Sequence, residues 1–280
     1  SRGMTINNVE KAKEVLFDVG YFRLGFYWFP FELSYPEKNN RDHKFKASAN
    51  FDDAVKLYYF DFKLRSILLK AISRIEIAFR TKVIYLVSND NQSKPTWFAD
   101  PSVVSSKQAK EFKEKVYDDL AAHYPVIAMH HRHHINDIYA PAWKTMEFMT
   151  LGAVLHLFKS IKDENIKQKV AAEFNIRYLA IFINYMELIK SIRNACAHSN
   201  VLYDFTPELS IRKGPAMVKG IGQNQNLNGA LHVVLYMLRQ VSANRYNEWK
   251  KEINDIISEY IKYPQVAQIL QNIAGLKNIL

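Results

Sequence analysis

Apolar residues recur along this chain at spacings of three and four, the period of a helix buried on one face. The longest such run covers 51–87, where Leu57, Phe60, Leu64, Ile67, Leu68, Ala71, Ile75, Ala78, Phe79 and Ile84 keep that period with no glycine or proline among them. It predicts one long helix or two stacked ones. A shorter amphipathic helix is expected over 7–18, with Val9, Ala12, Leu16 and Val19 on one side and Gly20 as its stop. Further helices are expected over 105–123, 141–159, 162–174, 228–241 and 243–263, with a last one after Pro264. Nine glycines and nine prolines in 280 residues are few, which favours long helices over turn-rich sheet. The fold class read from this pattern is all-α.

One helix stands apart, over 178–198. Tyr178, Phe182, Tyr185, Ile189, Ile192 and Cys196 draw one buried stripe along it. At about 100° per residue, Asn194 and His198 fall roughly opposite that stripe and Arg193 lies on its flank. A helix anchored in a core thus ends by turning Arg, Asn and His away from it. These side chains suit the cleavage of an RNA phosphodiester. Histidine titrates near neutrality and can take or give a proton. Arginine stays charged and holds two phosphate oxygens at once. Asn194, one turn before His198, can orient the ring or donate to the phosphate. In-line cleavage needs both an acid and a base, and no second Arg-x4-His occurs in the chain, so a homodimer bringing two such helix ends together is expected to form a composite site. The plainer alternative is a helix-terminal histidine bonded to the last carbonyls. Cys196 lies in the apolar stripe, nearly opposite His198, and reads as core.

Several blocks resemble a known family. Arg193-Asn194-Ala195-Cys196-Ala197-His198 looks like the Arg-x4-His signature of the HEPN superfamily of all-helical RNases. Gly20-Tyr21-Phe22-Arg23-Leu24 with Tyr27-Trp28, Leu57-Tyr58 through Asp61, Leu64-Arg65, the run Arg74 to Thr81, and Pro141-x-Trp143 with Glu147 and Gly152 are similar to blocks of the Abi-like family of bacterial abortive-infection proteins (the AbiD/AbiF type). Together they span roughly residues 15–204. The resemblance implies a HEPN-like helical core over 51–204, preceded by an N-terminal helix and aromatic-rich segment over 1–50 and followed by a basic loop and C-terminal helices over 205–280. It implies a metal-independent endoribonuclease acting in anti-phage defence or as the toxin of a toxin–antitoxin pair, restrained by a partner protein or RNA. The alternative on the same fold is a non-catalytic RNA-binding or sensor protein.

Charge and composition add supporting roles. Lysine and arginine number 38 against 28 acids, a net charge of +10 that favours a polyanionic partner such as RNA. Arg74 and Arg80 are expected either on an ion-paired surface, with Glu76 one turn before Arg80, or along the RNA approach to His198. Lys213, in the Gly- and Pro-containing stretch 204–228, is a further candidate RNA contact on a flexible basic loop. Glu147 is expected either to hold Arg193 or His198 in place or to be an ordinary surface acid. Residues 21–31 carry seven aromatics, for which two readings stand: a hydrophobic plug under the helices or a stacking platform for bases. The run His130-His131-Arg132-His133-His134 places two imidazoles at i and i+4, yet no cysteine or nearby acid pair completes a metal site, and neither metal nor cofactor is expected. Gly220-x-Gly222 neither follows a clear strand nor opens a helix, so a nucleotide loop is not expected there. A single cysteine rules out an internal disulfide, and no uncharged apolar run reaches the ~20 residues a bilayer requires, so a cytoplasmic protein without membrane partners is expected.

Overall fold

Asn50 closes an extended segment and starts the longest element of the molecule. Its side chain accepts from the Asp52 amide at 2.9 Å, and Asp52 and Asp53 place negative charge in the first turn. The helix then runs without interruption over Phe51–Asp90, 40 residues, and ends where the Asn91 amide folds back onto the carbonyl of Val87. Nothing in those residues breaks the backbone ladder, so the sequence forms one helix and not two. The structure, a computed structural model, describes residues 2–217, 225–277 and 280. The Gly220-x-Gly222 stretch lies outside the described residues.

In chain order the helices are α1 (Val9–Val19), α2 (Tyr21–Trp28), α3 (Phe51–Asp90), α4 (Ser106–Phe112), α5 (Asp118–His123), α6 (Pro125–His133), α7 (Ala142–Thr145), α8 (Leu151–Ser160), α9 (Glu164–Ala172), α10 (Leu179–Ala197), α11 (Leu227–Val241), α12 (Ala243–Tyr260) and α13 (Pro264–Asn272). Among the described residues there is no strand, and the all-α class holds. α3 is the axis against which α2, α8 to α13 and the short helices near Met146 pack. Aromatic pairs mark the seams: Phe60 meets Tyr260 of α12 at 5.7 Å and Phe79 meets Phe182 of α10 at 5.9 Å. Since Phe79 faces Phe182 while Arg65 reaches Asn200, α3 and α10 run antiparallel.

Two expectations about local structure are corrected. The segment 141–159 is not one helix. It breaks at Met149, whose backbone is extended, and restarts with the Thr150 hydroxyl capping the Ala153 amide at 3.2 Å. The carbonyl that Met149 withholds from the ladder accepts instead from the guanidinium of Arg80 at 3.0 Å. The aromatic segment 21–31 divides between its two readings: Tyr27, Trp28, Phe29 and Phe31 are buried under the bundle, whereas Tyr21, Phe22 and Phe26 are exposed. On α1, Val9 is exposed, Ala12 is buried, and Val15, Leu16 and Val19 pack partly buried against the core.

Candidate active site

α10 is built as its pattern predicts. Phe182, Tyr185, Ile189, Ile192 and Cys196 are buried, although Tyr178, the first member of the stripe, stands outside the helix and is exposed. Burial pushes the Cys196 thiol up to about 12, which leaves no thiolate at neutral pH and removes it as a nucleophile. Arg193 and Asn194 are half-buried, Ala197 and His198 exposed. The Arg193 guanidinium donates to the Asn194 side-chain oxygen at 3.1 Å, which draws it toward the side on which His198 emerges. Among the described residues Arg193 meets no carboxylate, and the His198 imidazole has neither a hydrogen-bond nor an ionic partner. The ring therefore does not cap the carbonyls of its own helix.

What holds this end in place comes from elsewhere in the chain. The Ser199 amide bonds to Cys196 and the Asn200 amide to Ala195, at 3.2 and 2.8 Å, with Ser199 at φ +55°. This is the helix stop usually made by a left-handed glycine, here formed with a serine and hence strained. Arg23 of α2 donates to the Ser199 carbonyl at 2.7 Å, and Arg65 of α3 donates to the Asn200 carbonyl at 3.1 Å. Asp61, fully buried, accepts from the amides of Leu202 and Tyr203 at 2.6 and 3.0 Å and from the Tyr27 hydroxyl at 3.2 Å. Burial pushes its carboxyl up to about 7, against the opposing pull of those amides and of Arg65. The Tyr203 hydroxyl in turn donates to the Phe26 carbonyl at 2.7 Å. The six residues after the helix are thus clamped by α2 and α3, and His198 stands at the rim of that clamp.

The other expected site residues are not brought together with it. Glu147 lies 3.7 Å from Arg80, not against Arg193 or His198. Arg80 is itself buried, bound to Glu76 at 3.1 Å and to the Met149 carbonyl, so it serves the fold and does not line an RNA path. It sits fifteen residues along α3 from Arg65, about 22 Å by helical rise. Arg74 is exposed and free of ion pairs among the described residues, but at about 100° per residue it points to the opposite side of α3 from Arg65. Lys213 is exposed on a loop seated against the first half of α10. There Asn184 brackets the loop at Ser210 and Arg212, and a side chain on Gly214 would come within 2.6 Å of the Tyr185 hydroxyl. That described part of the loop is pinned, which corrects its reading as flexible.

The histidine run is also partnered: His130 Nε2 lies 3.0 Å from Asp137, His131 Nε2 lies 2.8 Å from the Tyr117 hydroxyl, and the His130 and His134 rings stack at 4.5 Å. Among the described residues no group of three or more His, Cys, Asp or Glu is placed to hold a metal ion.

The apolar period by itself assigns no site role to Arg23, Asp61 or Arg65. The available signal was a charged residue at a position where the helical period calls for an apolar one, and each falls inside a block that resembles the family. An all-helical bundle that carries its arginine and histidine on an exposed, clamped helix end is the class defined by fold and site. The family model described as Abi-like protein matches residues 14–204, and the chain belongs to that family. No curated protein and no solved structure matches it. No helix among the described residues is long and apolar enough to cross a membrane.

Proposed function

We propose that the protein is a metal-independent endoribonuclease of abortive infection, or the toxin of a toxin–antitoxin pair, whose active site forms between two copies of the chain. One observation carries this reading. His198 and Arg193 end a core helix at the surface, and among the described residues the imidazole has no partner and the guanidinium bonds only to the neighbouring Asn194, while the backbone beyond them is fixed by buried charges. A free imidazole on a rigid mount is what proton transfer needs and what a structural histidine lacks.

In the proposed reaction one His198 takes the proton of a 2′-hydroxyl, and that oxygen attacks the adjoining phosphorus. The two Arg193 guanidiniums, steadied by Asn194, neutralise charge on the phosphorane. The His198 of the second copy gives its proton to the departing 5′ oxygen. The products are a 2′,3′-cyclic phosphate and a 5′-hydroxyl, with no cofactor used. The face offered to the second copy is supported by an exposed stripe on α3, Phe62, Ser66, Leu69, Ser73 and Ile77, whose two nearest members lie within one turn of Arg65. A restraining partner, protein or RNA, goes with a toxin of this kind.

The test uses purified protein and total RNA in EDTA. Wild type is expected to leave 2′,3′-cyclic phosphate ends, and Arg193→Ala and His198→Ala to lose cleavage while remaining folded. RNA binding by all three without cleavage would make the protein an RNA-binding or sensor module instead.

A further inference from the structure

The residues that directly follow His198 line a cavity of about 430 Å³ between α2, the loop after it and the segment Ser199 to Asp204. Its walls join features that neither the chemistry above nor the packing accounts for. Phe26 lines it with a ring that is 44% exposed and meets the exposed Phe22 ring edge-on at 5.3 Å. Phe29 forms a second wall, covered on one side by the Arg41 guanidinium at 4.5 Å. Arg23 uses one nitrogen on the Ser199 carbonyl, and the rest of its guanidinium has no partner among the described residues. Ser199 and Asn200 line the cavity, and among the described residues their side chains have no hydrogen-bond partners. On the far rim Lys38 pairs with Asp204 at 2.9 Å. The cavity is also stiff: the Tyr203 hydroxyl holds the Phe26 backbone and Arg23 holds that of Ser199, so ring and polar edge keep one spacing.

An aromatic face, an unpaired amide carrying both donor and acceptor, and a cation beside them match the three parts of a nucleotide. These are a base that stacks, an edge that hydrogen-bonds and a phosphate. The volume falls within the range of sites for molecules of that size. Ser199 follows His198 directly, so a base in this cavity would sit next to the bond being cut. We infer that the cavity receives the base of the RNA nucleotide adjoining the scissile phosphate, with Phe26 as its stacking surface, Asn200 reading its edge and Arg23 meeting its phosphate. This rests on the nuclease reading for its placement, but not for its test.

The test measures binding to the His198→Ala protein, which keeps the cavity and cannot cleave. The probe is a short labelled oligoribonucleotide, and a matched set carries an abasic residue at each position in turn. Phe26→Ala, on a half-exposed ring, is expected to weaken binding by about five- to hundred-fold, the usual worth of one stacked base. Phe26→Trp is expected to retain it. One abasic position is expected to show the same loss and no further loss on Phe26→Ala, because both remove a single contact. Tight RNA binding that is indifferent to Phe26→Ala, or losses that add at every position, would overturn the base site while leaving the nuclease reading intact. Protein that binds no RNA at all, though folded, would overturn both.

Discussion

The Arg65 guanidinium and the Asn200 carbonyl stand 135 residues apart in the chain and 3.1 Å apart in space. Together with the Asp61 bonds to Leu202 and Tyr203, that contact ties the far side of His198 to the middle of the longest helix. The site is rigid because buried charge, and not apolar packing alone, ends its helix.

Removing either Asp61 or Arg65 should therefore be severe. At pH 8, Asp61→Ala strands two buried amides and leaves Arg65 uncompensated, at an expected cost of about 3–5 kcal/mol. Arg65→Met alone is expected to be similarly costly, and the double variant to cost clearly less than the sum of the two. Urea unfolding of the four proteins measures this; strictly additive losses would mean that the two side chains do not act together.

Asp61 also sets a pH dependence. Its folded carboxyl sits at about 7, above the ~3.9 of an unfolded aspartate, so the native state holds the extra proton across that window. The stabilisation this gives is complete below about pH 4 and is lost as the pH rises toward 7, at about 1.4 kcal/mol per unit. Unfolding free energies of wild type relative to Asp61→Asn should fall from pH 4 to 7 and then level off. A flat difference would place the carboxyl at an ordinary value.

Ser199 carries a backbone conformation that glycine adopts at no steric cost. Ser199→Gly is expected to stabilise the protein by roughly 0.5–1 kcal/mol, read as a rise in Tm. A fall would show that the serine side chain is needed there.

The composite site makes a prediction about mixtures. When wild type and His198→Ala are co-refolded, cleavage should fall as the square of the wild-type fraction, because one composite site requires both imidazoles. A linear fall would mean that each chain cuts alone. Leu69→Asp, on the exposed stripe of α3, is expected to give folded monomers without activity, seen by sedimentation alongside the RNA assay.

Arg80 and Arg74 separate fold from surface. Arg80→Ala leaves the Met149 carbonyl and Glu76 without their partner and is expected to cost about 2–4 kcal/mol. Arg74→Ala should alter stability by no more than about 0.5 kcal/mol. Equal thermal shifts for the two would contradict the burial of Arg80.

Much of this was legible along the chain. The period of apolar residues determined most of the helices, the all-α class, the buried stripe of α10 beyond Tyr178 and the emergence of His198 at the surface, because burial imposes the same 3.6-residue rhythm on any helix in a core. The Glu76–Arg80 pair was legible, but the burial of Arg80 against Met149 and the places of Glu147 and Lys213 were not. A charged residue looks alike in sequence whether it meets water, RNA or a carbonyl left open by a break such as that at Met149. Only the tertiary structure decided that Arg23, Asp61 and Arg65 converge on the backbone after His198, since their partners lie more than a hundred residues away. It also divided the aromatic segment into a buried half and an exposed one, which depends on where α3 happens to pass beneath α2.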